Sequence, residues 1–214
     1  MRRASRARGL LLAGTALLAT ACGRYHVAAD TRVPDGGRIG AVRTVEGDIA
    51  LGRDARAGAL RTVDGAIRLA EGAEARSANV VEGRVVVATG ARVERDVGTV
   101  SGGIRIEDGA SVGGKVGNVI GGIHVGAAEI GGDVETVVGD IEIGPGARVA
   151  GAVRVRAPRR NMTVPDRMPR IVIGPGATTG PVEIERPARL YVSERAVTGP
   201  ILGAEAQRFA GDAP

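Results

Sequence analysis

The sequence predicts an all-β fold: a single-stranded triangular parallel β-helix, a β-solenoid of about eight coils with 18–19 residues each. Three observations predict it. Of 214 residues only Tyr25, Tyr191 and Phe209 are aromatic, while 35 are glycine. Deep cores are normally anchored on large rings, so this composition calls for a thin bore lined with small aliphatic side chains. Apolar residues also recur every sixth position. Finally, three hexads make a longer unit whose columns each keep their own residue type.

Residues 1–21 read as an export signal. Arg2, Arg3, Arg6 and Arg8 precede an apolar run from Gly9 to Ala21, shorter than the about 20 residues of a membrane-spanning helix. These arginines also explain most of the formal charge of +5. Without them 25 basic residues face 24 acidic ones, a net of +1. That balance offers no attraction to nucleic acid, and the few aromatic side chains provide no platform for stacking bases.

Cys22, the only cysteine, follows Leu18-Ala19-Thr20-Ala21. This segment resembles a bacterial lipobox, with Ala19 where Leu is usual. The resemblance implies a lipidated Cys22 that holds the chain to a membrane. Gly23 after it implies the outer membrane, facing the periplasm. Ala19-Thr20-Ala21 also suits ordinary signal peptidase, which would give a secreted or periplasmic chain. Residues 22–38, with Pro34 and Gly36-Gly37, are expected to be the lipidated Cys and a tether.

The solenoid domain is expected over 39–202. Ile39, Val45, Leu51, Ala57, Val63, Leu69, Ala75, Val81, Val87 and Val93 fall at every sixth position, and the series continues with small slips to Val155. One column of the longer unit is Gly47, Gly65, Gly83, Gly102, Gly121 and Gly139. A second is Ile49, Ile67, Val85, Ile104, Ile123 and Ile141, and a third is Ala55, Ala73, Ala91, Ala110, Ala128 and Ala147. Each hexad is then a short strand and a corner, and three close one coil. Glycine suits a corner whose backbone a Cβ would resist. Coils about 4.8 Å apart pair their backbones, and like side chains stack in the bore. Three hexads close a triangle with either hand, so spacing leaves the hand open.

The repeat breaks at Ala157, where three prolines fall within 157–170, and resumes at Ile171-Val172-Ile173-Gly174-Pro175-Gly176-Ala177, close to Ile141-Glu142-Ile143-Gly144-Pro145-Gly146-Ala147. Residues 157–170 are therefore an insertion into one coil. Residues 203–214 are expected to be a C-terminal cap or tail, since an open stack end needs covering.

Two β-solenoid groups share these motifs. Ile143-Gly144-Pro145-Gly146-Ala147-Arg148-Val149 resembles the hexapeptide repeat of left-handed β-helix acyltransferases. Thr44-Val45-Glu46-Gly47-Asp48-Ile49 and its copies resemble bactofilins, bacterial polymer-forming β-helix proteins with right-handed coils. The resemblance is one of repeat, across about 39–200, and carries over no site.

Chemistry-bearing residues are sparse. His26 lies in the expected tether. His124 stands on an outward column with Arg105 and Glu142. The acyltransferase resemblance would make such a His a general base, but base catalysis also needs an orienting partner and a bound substrate. Pairing with Glu142 one coil away is the simpler reading. Glu46, Asp64 and Glu82 form an acidic column, expected to pair with Arg43 and Arg61 rather than to bind calcium. Thr44, Thr62, Thr99 and Thr136 form a Thr column interrupted by Val80 and Asn118; it suits a strand face and is a weak case for ice binding. The insertion is the best contact candidate, with Arg159, Arg160, Arg167 and Arg170 around Met162 and Met168. Arginine forks fit phosphate or carboxylate, and Met fits irregular apolar surface.

The expected protein is therefore no enzyme and needs no cofactor or metal. It is a membrane-anchored structural or interaction protein of the bacterial cell envelope, touching the membrane through its lipid and an envelope protein or anionic glycolipid through the insertion. A bactofilin-like polymer, formed by self-association, is the alternative. A hexapeptide acyltransferase is the third reading.

Overall fold

The computed structural model of the chain describes residues 24–160, 163, 165 and 167–214. Cys22 and Met162 lie outside the described residues. Every regular element among those described is a β-strand, and every pairing is parallel. Each turn of the chain lays down three short strands, and each strand pairs with its counterpart one turn on. The result is a parallel β-solenoid.

The first column holds ten strands, among them Ile49–Leu51, Ile67–Leu69, Val85–Val87, Ile104–Ile106, Ile123–Val125 and Ile141–Ile143. The second and third columns merge into one sheet of 17 strands, because Arg56–Asp64 and Glu74–Glu82 run unbroken around the corner between them. Ten successive rungs in the first column make nine turns, one more than expected.

Both ends of the stack extend beyond the sequence boundaries. The expected tether carries strands: Arg24–Ala28 pairs with Val42–Glu46, and Thr31–Val33 pairs with Ile49–Leu51. In the expected cap, Ala206–Phe209 continues the first column against Arg189–Ser193. The tail is thus a further rung rather than a separate cover.

The core is the bore. Ile49, Ile67, Ile104, Ile123 and Ile141 point inward from the first column, and Ala55, Ala73, Ala91, Ala110, Ala128 and Ala147 fill the next corner, all fully buried. Their outward neighbours Arg68, Arg105 and Glu142 are exposed. Burying one such Ile contributes about 1.5–3 kcal/mol. Stacking multiplies this term turn by turn without requiring a large ring.

The third column corrects one reading. Hydropathy places Val45, Val63, Val81 and Val100 inward, yet they are 37–48% exposed. The buried positions are Thr44, Thr62, Thr99, Asn118 and Thr136, at 1–6%. The parity follows from hydrogen bonding. The Thr62 hydroxyl donates to the carbonyls of Gly47 and Asp64 at 3.1 Å each, and Thr99 donates to Gly102 at 3.0 Å. Thr136 donates to Asn118 Oδ1 at 2.6 Å and accepts from the Gly139 N–H at 2.9 Å. Corner carbonyls and amides need partners once water is gone, and Thr supplies them from inside. Among the described residues no buried side-chain polar atom is left unpartnered.

Two further devices set the turn length and hold the corners. The corner between the second and third columns has two residues between Ala75 and Ala78 but three between Val93 and Val97. That extra residue turns an 18-residue coil into one of 19. Aspartates also clamp successive turns. Asp48 accepts from the Ala66 N–H at 2.8 Å, Asp96 from Lys115 at 2.9 Å, Asp108 from Ala127 at 2.8 Å and Asp133 from Ala152 at 2.8 Å. In each case the carboxylate satisfies a corner amide of the following turn.

Candidate partner-binding surface

Val155 pairs back to Thr136, and Ile171 pairs back to Ile141. The turn from Ile141 to Ile171 therefore spends 30 residues where 18 suffice, and the surplus leaves the stack at the glycine corner. The C-terminal half of this insertion is fastened down. Arg167 Nη2 donates to Asp140 Oδ2, and the Arg170 N–H donates to Asp140 Oδ1 at 2.8 Å. The Arg189 N–H donates to the carbonyl of Pro169, which is buried. Arg186 donates to the carbonyls of Val137 and Arg167 at 3.1 and 3.2 Å. The Arg170 guanidinium lies 5.1 Å from the centre of the Tyr191 ring, an exposed cation–π contact worth about 0.5–1 kcal/mol.

The six proposed contact residues are thus not equivalent. Arg167 and Arg170 are engaged with the body of the protein, while Arg159, Arg160 and Met168 are exposed, Met168 by 50%. Sequence alone could not separate them, because the anchor, Asp140, lies 27 residues before Arg167.

Arg159 borders an open groove of about 760 Å³ along the third column, floored by Gly98 and Gly117 and lined by Lys115, Glu135 and Arg156. Lys115 Nζ donates to Glu135 Oε1 at 3.0 Å, and Arg156 Nε donates to Glu135 Oε2 at 3.1 Å. Burial pushes the Glu135 carboxyl upward, but Lys115 and Arg156 together hold it below the usual range. A carboxylate shared by two cations leaves donor capacity on Lys115, Arg156 and Arg159. Asp96 and Glu185 line it as well, and Arg156 Nη1 lies 3.9 Å from Glu185 Oε1, so the groove carries charge of both signs and its open donors can meet polar or anionic groups of a partner. It holds no hydroxyl or thiol set against a base.

Other candidates resolve differently. His124 Nδ1 lies 3.1 Å from Glu142 Oε2 on the outer side of the first column, where both border an open groove of about 550 Å³. Glu46, Asp64 and Glu82 are in register and exposed, but among the described residues none forms an ion pair with Arg43 or Arg61. The valine column separates the two charged columns, which explains the missing pairs. The Thr column faces inward and cannot order water at the surface. No group of three or more potential metal ligands occurs among the described residues.

Sequence reasoning missed the groove and the exposed valine column. The signal for the groove was Gly98 and Gly117 at positions where other turns carry Arg43, Arg61 or Asn79. Comparison with known proteins returned no matching family model, no matching curated protein and no matching solved structure.

Proposed function

We propose that this chain is a non-enzymatic lipoprotein of the bacterial cell envelope, held to a membrane through Cys22, whose solenoid acts as a stiff scaffold. The observation that carries this reading is the build of the molecule. Nine turns of bore are filled mainly by aliphatic side chains, and the main grooves among the described residues are open ones rather than enclosed, water-free sites such as catalysis favours. The contact region is the exposed part of the insertion, Arg159, Arg160 and Met168, with the adjoining Lys115–Arg156 groove. Its cations fit a phosphate-bearing glycolipid or an acidic protein surface.

The test has two independent readouts. Mass spectrometry of the mature protein is expected to show an acylated Cys22 at its N-terminus; an unmodified cysteine in the soluble fraction refutes the anchor. Deleting 158–166, which spares the fastened segment, is expected to leave melting nearly unchanged. It should abolish crosslinks to envelope partners, as should charge reversal at Arg159 and Arg160. Unchanged crosslinks refute the contact site.

A bactofilin-like polymer is the second reading, favoured by the last turn. Ile201, Ala204 and Ala206 there are only partly covered, and Val197 and Leu202 are 65% and 58% exposed. Filaments of the purified protein under the electron microscope would favour it.

A further inference from the structure

The outer side of the third column carries a straight apolar stripe. Val45, Val63, Val81 and Val100 stand one above another and are 37–48% exposed, with half-buried Val119 and Val137 extending the line. Their register follows from the flanking pairs Thr44↔Thr62 and Glu46↔Asp64, Thr62↔Val80 and Asp64↔Glu82, and Val80↔Thr99 and Glu82↔Ser101. Exposed solenoid faces elsewhere on the molecule are charged. There, opposite charges pair from turn to turn, as in Arg56–Glu74 and Arg68–Asp48.

The stripe is flanked by unlike charges. Arg43 and Arg61 stack on one side, and Glu46, Asp64 and Glu82 on the other. Among the described residues none of these five makes an ion pair within the protein. On the rungs of Val45 and Val63 the face has a central apolar line with cations to its left and anions to its right, and there it is complementary to itself. A two-fold axis parallel to the stack lays valine on valine and sets Arg43 and Arg61 of one copy over Glu46 and Asp64 of the other. A two-fold axis along the strands would instead set arginine over arginine and acid over acid. Like charges facing each other in this way cost several kcal/mol.

The geometry points to a second copy of this chain as the occupant of the stripe, packed face to face with both stack axes running in the same direction. The contact is isologous, as in most homodimers. Six rungs by five residues span about 29 by 17 Å, roughly 500 Å² per copy and about 1,000 Å² in total. That area sits at the lower limit for a specific interface, so the dimer is weak and concentration-dependent. The inference uses neither the lipid nor the insertion; Val119 and Val137 also border the groove beside Arg159, but Arg61, Val63, Asp64 and Val81 lie outside it, so variants there test the stripe separately from the proposed function.

Sedimentation equilibrium tests it on the purified full chain carrying Cys22→Ser, which takes no lipid. A monomer–dimer equilibrium is expected, and added salt should weaken it. Val81→Glu is expected to weaken dimerisation at least about tenfold, with circular dichroism and melting unchanged because the side chain is exposed. Val63→Glu should do the same. Arg61→Glu alone is expected to weaken the dimer. Arg61→Glu combined with Asp64→Arg should restore it, because exchanging the two columns preserves complementarity only when the axes run the same way. A chain that stays monomeric at every concentration overturns the inference. So does a dimer indifferent to Val81→Glu, or a double variant no stronger than Arg61→Glu. Capture of a different envelope protein on the stripe, with the chain itself monomeric, overturns it as well.

Discussion

Three glycines with different surroundings separate two costs usually confounded when a side chain is added. Gly102 sits at the glycine corner with φ +145°, and a Cβ there would lie 1.8 Å from the Gly83 carbonyl oxygen of the preceding turn. That oxygen cannot swing away easily. The Gly83 N–H bonds to Ser101 at 2.9 Å and the Val85 N–H to Gly103 at 3.0 Å, so the peptides on both sides are tied. Gly90 has φ +68°, but open space surrounds its Cβ position. The equivalent position two turns back is Asp54, which adopts φ +54° natively. Gly122 has an ordinary φ and open space. Gly90→Ala is therefore expected to cost about 1–2 kcal/mol of backbone strain. Gly102→Ala adds about 1–3 kcal/mol of overpacking to about 1–3 kcal/mol of strain. Gly122→Ala should be neutral or stabilise by up to about 1 kcal/mol through the unfolded chain. Thermal melting by circular dichroism reads the series: at about 2–4 °C per kcal/mol, Gly102→Ala should lie near 10 °C below the parent and Gly90→Ala well above it. Equal losses at Gly90 and Gly102 would show that the turns do not approach as closely as described.

Two further outcomes follow from the polar features. Thr136→Val keeps the shape but strands Asn118 Oδ1 and the Gly139 N–H, so chemical denaturation should show a loss of about 1–3 kcal/mol, whereas Val63→Thr, at an exposed position, should change little. Because Glu135 is held below its usual range by Lys115 and Arg156 against its burial, its stabilising effect is complete above about pH 4.3, the ordinary Glu value, and is lost as pH falls through its lower folded value. Between about pH 5 and pH 3 the parent should thus lose more stability than Glu135→Gln; parallel pH profiles would refute this.

The Ile, Ala and Gly columns were legible in the sequence because parallel stacking imposes the same environment on every eighteenth or nineteenth residue. The third column was misread for the same reason that makes hydropathy useful elsewhere: Thr44 and Val45 alternate, and valine is the more apolar. Thr won the inner position through bonds to corner carbonyls, such as Thr62 to Gly47, which no hydropathy pattern records. The first turn was missed because Ala29 stands where later turns carry the corner glycine, as the closeness of Ala29 to the Cβ position of Gly47 shows. In the insertion, composition displayed the arginines, but the division between anchored Arg167 and exposed Arg159 depended on Asp140, distant in sequence.

The aspartate clamps give the stack a direction in time. In Asp30 to Asp48, Asp35 to Arg53, Asp48 to Ala66, Asp96 to Lys115 and Asp133 to Ala152, the carboxylate always precedes the amide it holds by one turn. A chain emerging N-terminus first from a ribosome therefore carries the acceptor for each of these corners on the turn already formed. The new strand also finds an open edge, with its backbone N–H and C=O groups still unpaired, on the turn before it. Most contacts span one turn, roughly 0.08 of the chain length, a relative contact order typical of helical bundles rather than of β-sandwiches. This wholly β protein can thus add turns in the order they are made, never needing its distant end to close its core.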